Sequence, residues 1–160
     1  MGKPVRSVTP GCSFVSSPSV HVLTDLSTDN LLSGTTDATA LLSVMESLPS
    51  VTIRYLPRLH AKVYVRDDSE AVVTSGNMTD GGLTRNHEMG VRLLGPAIVG
   101  QIREHVNRLS TLGAEVSADN LRTVAEAAAG LRQHWRAAQA SARGEIKEAF
   151  DAKVSEVADT

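Results

Sequence analysis

His60, Lys62, Ser75, Asn77 and Glu88 lie within one stretch, LHAKVYVRDDSEAVVTSGNMTDGGLTRNHEMGV, and their side chains are those a phosphodiester reaction needs. An imidazole can attack phosphorus as a nucleophile or give a proton to a leaving oxygen. Lysine, serine and asparagine can donate hydrogen bonds to non-bridging phosphate oxygens, and a carboxylate can hold the far ring nitrogen of the histidine. The set has no paired carboxylates and no Cys/His cluster at ligand spacing, so it requires no metal and no other cofactor.

These groups can meet only if the backbone folds back on itself. Residues 61–66 read as a strand with Ala61, Val63 and Val65 on one face and Lys62 and Tyr64 on the other, and His60 shares the face of Lys62. Asp67, Asp68 and Ser69 make a turn, residues 71–74 a further strand, residues 76–84 a loop, and residues 88–94 a strand that Glu88 opens. Gly81 and Gly82 are expected to permit a tight turn in that loop and not to cradle phosphate, because no Walker-like Lys-Ser/Thr follows them.

Upstream, residues 20–24 are a short β-rich run followed by Asp25, Ser27, Asp29 and Asn30 as turn and capping residues. Thr36 and Asp37 can cap a helix carrying Leu41, Leu42, Val44, Met45 and Leu48 at helical spacing, which Pro49 ends; residues 51–56 alternate as a strand stopped by Pro57. Downstream, Pro96 suits the first position of a helix with Ile98, Ile102, Val106 and Leu109 on one stripe, and Gly113 suits its C′ position. Ser117 can then cap a long helical pattern through Leu121, Val124, Ala128, Leu131 and Trp135 to Ile146, Phe150, Val154 and Val157.

The order predicts an α/β fold, a mixed β-sheet flanked by helices, with a C-terminal α-helical appendage. Residues 1–19 form an unpatterned lead-in, loop or disordered, residues 20–113 the α/β domain, and residues 114–160 the appendage, whose apolar stripe must bury against the core, a partner helix or another subunit. Aromatic residues make up only 3% of the chain, so the core must be aliphatic. A net charge of −2 excludes a global basic field, and any polyanion has to meet a local patch. Cys12 is the single cysteine, which excludes an internal disulfide and fits a reducing, cytoplasmic compartment. No apolar run reaches the roughly 20 residues needed to span a bilayer, so no membrane segment is expected.

His60, Lys62 and Asp67, with Thr74-Ser75-Gly76-Asn77 following, resemble the signature of the phospholipase D superfamily: HxK, four residues, Asp, six residues, then GSxN, with Thr here in place of the first Gly. The wording SGNMTDGGLTRNHEMGV looks like the single-motif, nuclease-like branch, and the resemblance covers residues 20–113. It implies that His60 attacks phosphorus to form a phosphohistidine and that Lys62, Ser75 and Asn77 bind phosphate oxygens. It further implies that Glu88 orients the imidazole. Asp67 is structural, since strand rise puts it about 23 Å from His60. One copy of the motif implies an active site shared across a homodimer, with nucleic acid as substrate.

Arg54, Arg58 and Arg85, with Arg66 and Arg92, could form a phosphate-tracking rim, against the ordinary reading of scattered arginines as solvated surface. His87 should point away from the face of Glu88, and His21, His105 and His134 have no companions. The expected activity is therefore metal-independent phosphodiester hydrolysis of nucleic acid. A non-catalytic or truncated module in a defence or helicase-associated assembly is the alternative, because residues 1–19 lack the family's usual opening strand and helix. A phospholipase or phosphatidyl transferase would share the chemistry on another substrate.

Overall fold

Val20–Thr24 forms β1 and Val51–Tyr55 forms β2, and the two pair in parallel from Val20 opposite Val51 to Thr24 opposite Tyr55. Parallel neighbours need a crossover, which is supplied by two helices, α1 (Thr28–Ser33) and α2 (Ala38–Ser47). The structure is a computed structural model that describes residues 19–79 and 81–158, with side chains through residue 151. The lead-in expected at residues 1–19, Cys12 included, lies outside the described residues except for Ser19.

Asp37 caps α2 as its sequence suggests: one carboxylate oxygen accepts from the amides of Thr39 and Ala40 at 2.9 and 3.4 Å. Such a cap contributes about 1 kcal/mol. The helix ends at Ser47 because Leu48, placed before Pro49, turns extended. α1 stands where only turn residues were expected; at six residues it is too short to show a period, and Gly34 closes it in the left-handed conformation.

Lys62–Arg66 forms β3, Glu70–Thr74 forms β4 and Gly90–Leu94 forms β5, each paired antiparallel with the next. After β5, Pro96 opens α3 (Pro96–Leu112) from the first turn. Gly113 does not take the left-handed C′ conformation expected of it; its φ and ψ of −85° and 155° are extended. Its glycine requirement is steric, since a Cβ there would stand 2.9 Å from the Tyr55 carbonyl oxygen. The chain then forms the two-residue β6 (Ala114–Glu115) against β2, and α4 (Ala118–Ala158) follows. Ser117 and Asn120 cap α4 reciprocally: the Asn120 amide donates to the Ser117 hydroxyl and the Ser117 amide to Asn120 Oδ1.

The α/β class and the mixed strand pairing are as expected, with the strands divided among the described residues into two sheets, β1-β2-β6 and β3-β4-β5. Leu31, Ala38, Ile53, Val116, Leu121 and Ala128 form one buried cluster. The first turns of α4 therefore share a core with β2 and the crossover helices, so the apolar stripe of the C-terminal helix begins by burying against the core. Arg132 fastens the same face by donating to the Leu31 carbonyl at 3.1 Å. Farther along α4, Leu131, Ile146 and Phe150 are exposed.

Truncating the fully buried Leu121 should therefore cost about 3 kcal/mol of unfolding free energy, whereas Ile146→Ala, at a side chain 70% exposed, should stay within about 0.5 kcal/mol. Urea titration followed by circular dichroism measures both, and equal effects would mean that α4 does not enter the core through Leu121.

Candidate active site

The antiparallel register of the second sheet brings three separate pieces of chain to one end. Lys62 at the start of β3 stands opposite Thr74 at the end of β4, and Thr74 stands opposite Gly90 at the start of β5. The residues just outside this row are those singled out by their chemistry: His60 before β3, Ser75 and Asn77 after β4, Glu88 before β5. The Ser75 amide extends the pairing one step by donating to the Met89 carbonyl at 3.0 Å. Glu88, expected as the first residue of β5, lies two residues before it.

Glu88 is engaged through both of its carboxylate oxygens. Its Oε2 accepts from the Ser75 hydroxyl at 2.5 Å and its Oε1 from the Asn86 side-chain amide at 3.1 Å. The Ser75 bond and then the Asn86 bond hold the carboxyl below its ordinary value against an opposing desolvation, and the nearby Lys62 charge adds to them. Glu88 makes no hydrogen bond to His60 among the described residues, so the expected orienting contact is not formed within one chain. Ser75, expected to bind phosphate, is hydrogen-bonded to the same carboxylate. A serine has one proton to donate, and Ser75 spends it on Glu88 while accepting from the Met89 amide at 3.1 Å.

Lys62 reaches back along its own strand, and its ammonium donates to the His60 carbonyl at 2.7 Å. The contact fixes the backbone of the histidine and leaves the exposed ring free to act. Asn77 sits in the loop after β4, where Gly82 packs against it so closely that a Cβ at position 82 would lie 2.3 Å from the Asn77 carbonyl oxygen. The glycine there serves close approach and belongs to the π-helical turn Gly81–Arg85, closed by the Asn86 amide on the Gly81 carbonyl at 2.9 Å. Tyr64 supports the loop from below: its hydroxyl makes a long hydrogen bond of 3.4 Å to the Gly76 carbonyl, and partial burial raises its pKa.

Of the expected arginine rim, Arg54 lies elsewhere and has structural work. Its guanidinium donates to the Ser110 and Gly113 carbonyls at 2.8 and 2.6 Å, satisfying the C-terminal end of α3. Arg66 and Arg92 both pair with Glu70, at 3.3 and 2.5 Å, at the far end of the sheet. Arg58 shares the loop of His60, and Arg85 closes the π-helical turn; both are exposed. Asp67 occupies the β3–β4 turn with a left-handed backbone, φ 51°, and its neighbour Asp68 pairs with Arg103 of α3. Sequence reasoning missed Asn86, although its place two residues before Glu88, on the same side of an extended chain, was a usable signal.

Among the described residues no group of three or more His, Cys, Asp or Glu side chains could hold a metal ion, and no helix is long and apolar enough to cross a membrane. An α/β fold with an HxK strand facing an SxN loop defines a phospholipase D-like domain. The family model described as "Cardiolipin synthase, PLD-like domain" matches residues 18–110, more than half of the chain, and the chain belongs to that family. No curated protein and no solved structure matches it. Membership places the chain in a superfamily of phosphodiesterase type.

The depressed Glu88 pKa adds stability that is fully present above the ordinary glutamate pKa of about 4.3 and is lost as pH falls through the depressed value. Ser75→Ala should raise the Glu88 pKa toward the ordinary value. Carbon-detected NMR titration of the side-chain carboxyl reads the change, and superimposable curves would show that the hydroxyl does not set this charge.

Proposed function

We propose that this chain is a metal-independent phosphodiesterase that hydrolyses nucleic acid, with the active site completed by a second copy of the chain. The observation that carries the reading is the Lys62–Thr74–Gly90 row, which gathers His60, Lys62, Asn77 and Glu88 at one end of a sheet. A nitrogen of His60 attacks phosphorus, the P–O bond to the leaving group breaks, and the leaving oxygen takes a proton from His60 of the partner subunit. Water then attacks the phosphohistidine, giving its proton to that same imidazole, and the P–N bond breaks. Lys62 and Asn77 donate to the non-bridging oxygens as charge accumulates there.

The shared site is supported by the single HxK in the sequence and by Met78, Leu83 and Met89, which flank the half-site 70%, 70% and 83% exposed. Large apolar side chains so open to water fit a surface that a second copy covers. The same three residues favour one other reading, transfer of a phosphatidyl group at a lipid surface, the chemistry that the name of the matching family carries. The nucleic-acid reading takes precedence because Arg58, exposed and lining the same crevice as His60, can contact a phosphate backbone.

Cleavage of bis(p-nitrophenyl) phosphate, single- and double-stranded DNA, RNA and phosphatidylglycerol vesicles, all in EDTA, tests the proposal. Chelator-resistant hydrolysis of a nucleic acid is expected, with a loss of at least ~10³-fold in His60→Ala and about 10²-fold in Lys62→Ala. Activity that survives His60→Ala removes the mechanism, and turnover of vesicles alone reassigns the substrate. A wild-type chain inert on every substrate leaves a non-catalytic module. Light scattering should give twice the mass of one chain, and a fully active monomer would overturn the shared site.

A further inference from the structure

His60 is delivered by a turn whose geometry is wrong for its own sequence. Leu56, Pro57, Arg58 and Leu59 close a β-turn through the Leu59 amide and the Leu56 carbonyl at 3.4 Å, with proline second and Arg58 third at φ 63°. Proline followed by a positive φ is a type II turn, whose third position is ordinarily glycine. Arginine suits the type I alternative, in which the central peptide is flipped and the Arg58 N–H points the opposite way. Something must hold that peptide over.

Asp25, from the loop after β1, does so. Its Oδ2 accepts the Arg58 amide at 3.1 Å and its Oδ1 accepts the Ser27 amide at 2.9 Å. The aspartate is itself anchored, because the Thr36 hydroxyl donates to its carbonyl at 3.0 Å. β1 and β2 are also tied at this level, with the Leu56 amide on the Thr24 carbonyl at 2.9 Å. The turn and Asp25 meet at an open crevice that His60 also lines.

We infer that Asp25 is a positioning residue for His60: its carboxylate selects the type II form of the turn at Arg58 and tethers that turn to the β1 loop, fixing the approach of the histidine to the site. The inference rests on His60 as the nucleophile. Asp25 touches neither substrate nor the imidazole; it acts through the backbone two residues upstream. Misplacement of a reacting group by about 1 Å costs on the order of 10²-fold in rate, so partial loosening should be visible in kcat.

Asp25→Asn isolates the contact. The amide keeps one oxygen for the Ser27 N–H and sets its NH2 against the Arg58 N–H, donor against donor. On bis(p-nitrophenyl) phosphate kcat should fall about 10-fold with KM within about twofold, and the His60 imidazole resonances should shift in two-dimensional proton–nitrogen spectra. In an Arg58→Gly background, where glycine takes the positive φ unaided, the same Asp25→Asn change should cost under about threefold. A loss of equal size in both backgrounds, or wild-type kcat and His60 resonances in Asp25→Asn, overturns the inference. If Asp25→Asn does not fold, Arg58→Val, which leaves Asp25 intact but places a β-branched residue at positive φ, must shift the same His60 resonances, and unshifted resonances overturn it. A wild-type chain inert on the probe and on every nucleic acid removes the phosphodiesterase reading instead. The clasp then stands or falls on the resonances alone.

Discussion

The antiparallel register of β3, β4 and β5 is the constraint on which the site depends. Side chains alternate along a strand, so a slip of one residue in the pairing of Lys62 with Thr74 would send Lys62 and Tyr64 to the opposite face. What holds the register is distributed at the two ends. At the far end, Glu70 is gripped by Arg66 from β3 and Arg92 from β5, so one carboxylate ties all three strands. At the site end, the Ser75 amide bonds the Met89 carbonyl, and Ser75, Glu88 and Asn86 lock the entry to β5. Ala71, fully buried in the middle strand, lets α3 pack close on this sheet, where Val99 is also fully buried.

The site charges follow from the same framework. A carboxylate left exposed beside a phosphate site would repel its substrate, and Glu88 is moderated in two ways. Ser75 and Asn86 each donate to one of its oxygens, and Lys62 stands near enough to lower its pKa by charge. Ser75 thus donates to the carboxylate, and on the proposed reading Asn77 and the Lys62 ammonium, which has protons beyond the one on the His60 carbonyl, would donate to a phosphate. The loop that carries Asn77 is close-packed at Gly82 and bonded by Tyr64, so this donor is held by sterics on one side and by a hydroxyl on the other.

What the sequence made legible was local. The alternation of residues 61–66, the Asp37 cap, the stop at Pro49 and the start at Pro96 are each decided within a few residues, and β1, α2, β3 and α3 fell where those signals put them. The motif spacing brings its residues to one end of the second sheet because strand length and loop length fix which residues flank the row. The rest depends on partners distant in the chain. Nothing near Arg54 announces that its guanidinium will close the end of α3, more than 50 residues away, or that β6, two residues long, will pair with β2. The division into two sheets is likewise a matter of long-range pairing. The Gly113 conformation is set by the approach of Tyr55, which no local pattern records.

On the proposed two-step route, a second proton-carrying group is needed within reach of the leaving oxygen, and one chain is poorly supplied with candidates. The Ser75 proton is committed to Glu88, and the Lys62 ammonium is turned to the His60 carbonyl. His87 adjoins Glu88 on an extended stretch, so its side chain leaves the backbone on the opposite side. His21 lies on β1, His105 on α3 beside Arg108, and His134 on α4, all carried by elements other than the second sheet. An imidazole can both give and take a proton, and a two-fold axis through the exposed surface of Met78, Leu83 and Met89 would supply a second His60 with the geometry of the first. The same symmetry would let each imidazole serve either as nucleophile or as acid, so the sheet register would have to be correct in both copies at once.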